Sequence, residues 1–127
     1  MDELIARLVA EIGIDQSTAE KAVGIILDFL VKEGPADKIQ PLLAKLPGAE
    51  ALIAKAAGEG GGGGIAGMAG GMMGGVMGAG MRMMSAGLNM GQVQSVARAV
   101  LAYTREKVGE DAVGEIVAAI PGLSQFV

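Results

Sequence analysis

Thioether sulfur is the most concentrated reactive group in this sequence: eight of the nine methionines lie between Met68 and Met90. On a helix, Met73, Met77 and Met81 share one face, and soft sulfur ligands at that spacing suit Cu(I). With no Cys and no His, such a site would rest on weak neutral ligands, so the stripe reads first as packing. Phosphate binding is the second chemistry to weigh. Gly62-Gly63-Gly64-Ile65-Ala66-Gly67 matches G-x-G-x-x-G, but it follows a helical pattern rather than a strand. No acidic residue stands about twenty positions further on, and no Gly-Lys-Ser/Thr occurs. Acid–base chemistry has fourteen Asp and Glu to draw on, and none stands apart. Glu110-Asp111 opens a helical pattern, where carboxylates favour the dipole. Glu20, Asp28, Glu33 and Glu115 fall at polar positions of amphipathic patterns, with Asp28 and Lys32 four apart as a solvated pair. Ser17, Ser85, Ser95 and Ser124 have no His to activate them. The expectation is a non-enzymatic protein with no catalytic residues, no metal and no cofactor.

Composition narrows the class. The 127 residues suit a single helical domain spanning 1–127. Half are apolar, yet only Phe29, Tyr103 and Phe126 are aromatic, so the core must come from Leu, Ile, Val, Ala and Met. The net charge is −4, and the ten Lys and Arg are scattered, which argues against a nucleic-acid surface. Without cysteine there is no disulfide framework. The start, MDELIARLVAEIG, lacks the basic opening and continuous apolar run of a signal peptide, so the cytoplasm is expected.

Apolar spacing and breakers set out the elements. Leu4, Ile5, Leu8, Val9 and Ile12 form one stripe of a helix over 2–12, stopped by Gly13. A second helix covers about 16–33, capped by Asp15 or Ser17, with Ser17 and Glu20 at capping-box spacing. Ala19, Val23, Ile26, Leu27 and Leu30 make its buried stripe, and Gly34-Pro35 ends it. A third helix spans roughly 37–46, with Pro41 tolerated in its first turn, and a short one follows over 49–57. Asn89 caps a helix from about 90 to 108, and another covers 110–120 before Pro121-Gly122.

The two halves align without a gap at a shift of 74 positions. Gly13-Ile14-Asp15 meets Gly87-Leu88-Asn89, Leu27 meets Leu101, and Phe29 meets Tyr103. Ile39, Leu42, Leu43 and Leu46 meet Val113, Ile116, Val117 and Ile120. Six identities between 13–53 and 87–127 carry little weight; the shared caps, core positions and breakers carry the argument. The expected fold is all-α: two similar three-helix units, 1–53 and 75–127, related by a pseudo-twofold, with a Gly-rich connector over 58–74.

Several of these features occur together in a known group. The unit Ile14-Asp15…Ala22-Val23-Gly24-Ile25-Ile26-Leu27, the Leu46-Pro47-Gly48 breaker, the Gly-rich middle and a second apolar helical half resemble small bacterial all-helical proteins of unknown function, the VcgC/VcgE-like set. The resemblance implies no activity and carries over no functional residue.

The middle is the part in need of explanation. Twelve of the twenty-two residues from Gly60 to Met81 are glycine, and no charge appears until Arg82. A flexible connector is one reading, foremost for Gly60–Gly64. A buried helix from about Ile65 to Ala86 is another. It would contain seven glycines, each costing up to about 1 kcal/mol relative to Ala, so packing must offset a sum that rivals a small domain's stability. Gly67, Gly70, Gly71, Gly74 and Gly78 would form a smooth face. Met73, Met77, Met81 and Met84 would form one flank, and Met68, Met72 and Met83 the other. Being apolar nearly all round, that helix is expected to be buried. The resulting interface candidates are Gly67, Gly71, Gly74, Gly78, Met73, Met77, Met81 and Met84. A structural or protein-interaction module, self-associating as a homo-oligomer through this helix, is the leading expectation. The alternative is a membrane-active protein that inserts the segment, since Gly67-x-x-x-Gly71-x-x-x-Gly75 lies in an uncharged run of spanning length. That run is weakly hydrophobic and lacks Trp or Tyr anchors and a basic cluster.

Overall fold

The computed structural model describes residues 2–34, 36–60 and 75–120; at 36, 56–60 and 75–77 only the helical backbone is described. The described residues are all-helical: α1 (Asp2–Ile12), α2 (Gln16–Glu33), α3 (Ala36–Lys45), α4 (Ala49–Gly60), α5 (Gly75–Ser85), α6 (Met90–Val108) and α7 (Glu110–Ala119).

Local chemistry explains most of the ends. Asp2 and Glu3 lie in the first turn of α1, beside exposed N–H groups. Gly13 stops α1 at φ +78°, and its N–H donates to the Val9 carbonyl at 3.1 Å. Asn89 caps α6 through a full capping box: its Oδ1 accepts from the Gln92 N–H at 2.8 Å, and Gln92 Oε1 accepts from the Asn89 N–H at 3.0 Å. Asn89→Ala is expected to lose about 1 kcal/mol, read as a lower midpoint in urea with the slope unchanged.

Two local expectations are corrected. Asp15 is the N-cap of α2 but its side chain makes no capping bond, so neither it nor a Ser17–Glu20 box secures this end. α3 starts at Ala36, which places Pro41 inside the helix rather than in its first turn. Pro41 is exposed, so its ring meets water, and tertiary burial of Ile39, Leu42 and Leu46 outweighs the missing N–H. α4 also continues to Gly60, past the expected end near 57.

The helix at the centre is α2. It packs against α1, α3, α4, α5 and α6, with its broadest contact on α4. Every residue from Ala22 to Leu30 is buried, Gly24, Asp28 and Phe29 included. The stripe read from periodicity is therefore one side of a helix enclosed on all sides. α6 is the second long element and keeps a wet face at Arg98, Ala102 and Arg105. Its buried Thr104 donates from Oγ1 to the Val100 carbonyl at 2.7 Å, which satisfies the hydroxyl within the helix. Lys107 lies over the Tyr103 ring at 5.2 Å from its centroid.

The helices recur at the spacing of 74. Gln16 and Met90 begin α2 and α6; Ala36 and Glu110 begin α3 and α7; Lys45 and Ala119 end them. α1 and α5 agree to one residue at each end. The glycines that follow α1 and α5, Gly13 and Gly87, both take positive φ. At the far edge of the fold, Lys38 Nζ of α3 meets Glu115 Oε2 of α7 at 2.6 Å. The hydrogen bond to Glu115, then its charge, raises the Lys38 pKa above 10.5. A raised lysine stabilises fully below its ordinary range, so this contribution persists at neutral pH and fades only as alkali passes the folded value.

Candidate functional site

The candidate site is α5, the described part of the Gly/Met stretch, together with the α2 surface beneath it. Glycine makes this helix intrinsically poor, so its ends and its packing must hold it. The C-terminal end is held by a Schellman motif. Gly87 takes φ +108°, the Gly87 N–H donates to the Met84 carbonyl at 3.0 Å, and the Leu88 N–H donates to the Met83 carbonyl at 3.2 Å. Met83 and Leu88, the residues joined across that motif, are both in the core at 1% and 3% exposure.

Packing against α2 and α6 fixes which side of α5 faces inward. Gly78 and Met83 are buried. Met81 and Met84, three apart on the opposite side, are 49% and 47% exposed. For the described part of this helix, the expectation of burial all round is thus corrected: α5 lies on its neighbours with one side, and its other side meets solvent. Among the sequence-derived candidates, Gly78 is interior and Met81 and Met84 are exterior. Gly67, Gly71, Gly74 and Met73 lie outside the described residues, as does the side chain of Met77.

Arg82 ties α5 to α2 in that rotation. Its Nη1 donates to Asp28 Oδ2 on α2 at 2.9 Å, and Lys32 Nζ reaches the same oxygen at 3.1 Å. The Asp28 side chain is 6% exposed and that of Arg82 24%. Periodicity treats Asp28–Lys32 as a solvated pair; the structure forms the pair with Lys32 exposed, but corrects Asp28, which is buried where α5 packs on α2. Two cations reach this interior carboxylate, one of them from another helix, and so offset the cost of burying it. Sequence reasoning did not join Asp28 to Arg82. The available signals were a lone Asp inside Gly-Ile-Ile-Leu-Asp-Phe-Leu and the fact that Arg82 is the first charge after the Gly/Met run.

With Arg82 held inward, Met81 and Met84 face outward; Met90, which begins α6, is also exposed, at 54%. The arrangement offers a polarisable apolar face on a clamped helix. Among the described residues, no three acidic side chains gather to hold a metal ion. Among them, too, no helix is long and apolar enough to cross a membrane. No family model, no curated protein and no solved structure matches the chain, so the resemblance to the VcgC/VcgE-like set is neither supported nor opposed by these comparisons.

Proposed function

We propose that this chain is a non-enzymatic interaction module, located in the cytoplasm, that self-associates through the outward methionine face of α5. The observation that carries this reading is the half-exposure of Met81 and Met84 on a helix tied to α2 by the Arg82–Asp28 ion pair. Unbranched thioether side chains adapt to an apolar partner surface, and burying two of them removes apolar area from water. A short apolar face on a fixed helix suits an isologous contact, in which the same residues serve both copies. The clamp matters to this reading because it spares the contact the entropy of ordering the helix on association.

Light scattering during size-exclusion chromatography is expected to show a defined oligomer of the 12.7 kDa chain. Met81→Glu with Met84→Glu is expected to give a monomer of unchanged helicity by circular dichroism, since both side chains already meet water within one chain. A wild-type monomer at every concentration, or an oligomer in the double variant, sinks the proposal.

A further inference from the structure

Exchanging the two halves leaves most packing relations unchanged. α1 on α2 becomes α5 on α6, and α2 on α3 becomes α6 on α7. α1 on α6 becomes α5 on α2, while the α2–α6 and α3–α7 contacts map onto themselves. Each half therefore lends its first helix to the long helix of the other. Burial recurs with the helices: Ile14 and Leu88, Ala22 and Val96, Leu27 and Leu101, Leu42 and Ile116, and Leu46 and Ile120 are all buried. Helix α4, packed on α2, has no counterpart among the described residues. The packing of α3 on α6 also lacks an equally broad image between α7 and α2; the rest is the contact pattern of an isologous dimer carried within one chain.

The charges break that equivalence. Arg7–Glu106 at 3.4 Å, Lys38–Glu115 at 2.6 Å and Arg82–Asp28 at 2.9 Å all cross between the halves. At a shift of 74, Glu106 corresponds to Lys32, Arg82 to Leu8, Asp28 to Ala102, and Glu115 to Pro41. Two first halves paired in this manner would set Arg7 against Lys32, and would replace Arg82, the cross-helix partner of buried Asp28, with Leu8. Two second halves would set Arg82 against Ala102, and Glu115 against Ala112, the counterpart of Lys38. Unlike pairing forms all three cross-half contacts; like pairing loses them, leaving Arg7 with Glu3 and Asp28 with the exposed Lys32 of its own half. A buried carboxylate that loses one of its two cations is less favourable, and opposed cations add a repulsive term, which is how an interface rejects a near-identical competitor.

We propose that the halves 1–60 and 75–127 are heterotypic partners. They recognise each other without the connecting chain, and the Asp28–Arg82 pair selects unlike over like pairing, within one chain or between two chains that exchange halves. This proposal does not depend on the methionine face.

The test uses the full chain with a protease site in place of Gly61–Gly64, cleaved after folding. Native mass spectrometry and chromatography are expected to show the two pieces held one to one at the mass of a single chain. The same complex is expected to re-form when the pieces are refolded together from urea. In Asp28→Leu/Arg82→Leu, apolar side chains replace both charges, so folding is retained while discrimination falls. Like pairs are expected to rise at least roughly tenfold relative to the wild-type charges. Pieces that separate on cleavage overturn the recognition. A double variant that re-pairs as strictly as the wild type overturns the role of Asp28–Arg82.

Discussion

Leu27→Ala is expected to lose about 3–5 kcal/mol, lowering the melting temperature by roughly 10–20 °C. Leu27 is 0% exposed on a helix with neighbours on every side, so the vacated space has no mobile surface to collapse into. Leu101 stands at the corresponding position of α6 and is 3% exposed, but α6 has a wet face at Ala102 and Arg105. Leu101→Ala is expected to cost less than Leu27→Ala for that reason. Urea midpoints for the two variants at unchanged slope are the measurement. Equal losses, or a loss at Leu27 below about 1 kcal/mol, contradict the placing of α2 at the centre of the fold.

Arg82→Leu is expected to be the most damaging single change at the Gly/Met helix, at about 2–4 kcal/mol. It leaves the Asp28 carboxylate, 6% exposed, with Lys32, whose side chain is 67% exposed and lies at the solvent end of the pair. Lys32 must then give up water to stay with the carboxylate as its one remaining cation. Asp28→Leu/Arg82→Leu is expected to recover most of the loss, since an apolar pair of similar volume has no charge to desolvate. Thermal melts of the wild type, both single variants and the double variant form the cycle that measures the coupling. A coupling near zero contradicts the view that this pair fixes α5.

The backbone plan was legible because breakers and caps act locally. Gly13, Gly34-Pro35 and Pro47-Gly48 punctuate the first half, and the helices end beside them. Asn89 caps α6 because its side chain reaches an N–H three residues away, with no help from the rest of the fold. Helix starts recur at the 74-residue spacing, but the caps do not: Asn89 caps α6 through its side chain, whereas Asp15 makes no such bond at α2. Pro41 was misplaced because its effect depends on where α3 begins, and burial of Ile39 and Leu42 decides that.

The candidate site was only partly legible. The Gly/Met run marked α5 as unusual, yet periodicity gives the angle between side chains and not the direction of water. Met81, Met83 and Met84 differ little as apolar residues, but Met83 is 1% exposed and its neighbours nearly half exposed. The difference comes from the Schellman turn that joins Met83 to Leu88 and from the pull of Asp28 on Arg82.

By itself the sequence determined an all-helical chain, most of its helix ends, and a core built from aliphatic side chains, because apolar period, caps and glycine or proline breakers work over a few residues. Only the tertiary structure decided that α2 rather than the Gly/Met helix is enclosed, that Asp28 is interior, and that Met81 and Met84 face out. Those outcomes depend on which elements meet across 54 residues of chain, as Asp28 and Arg82 do, and a carboxylate's surroundings are set by that meeting and not by its neighbours in sequence.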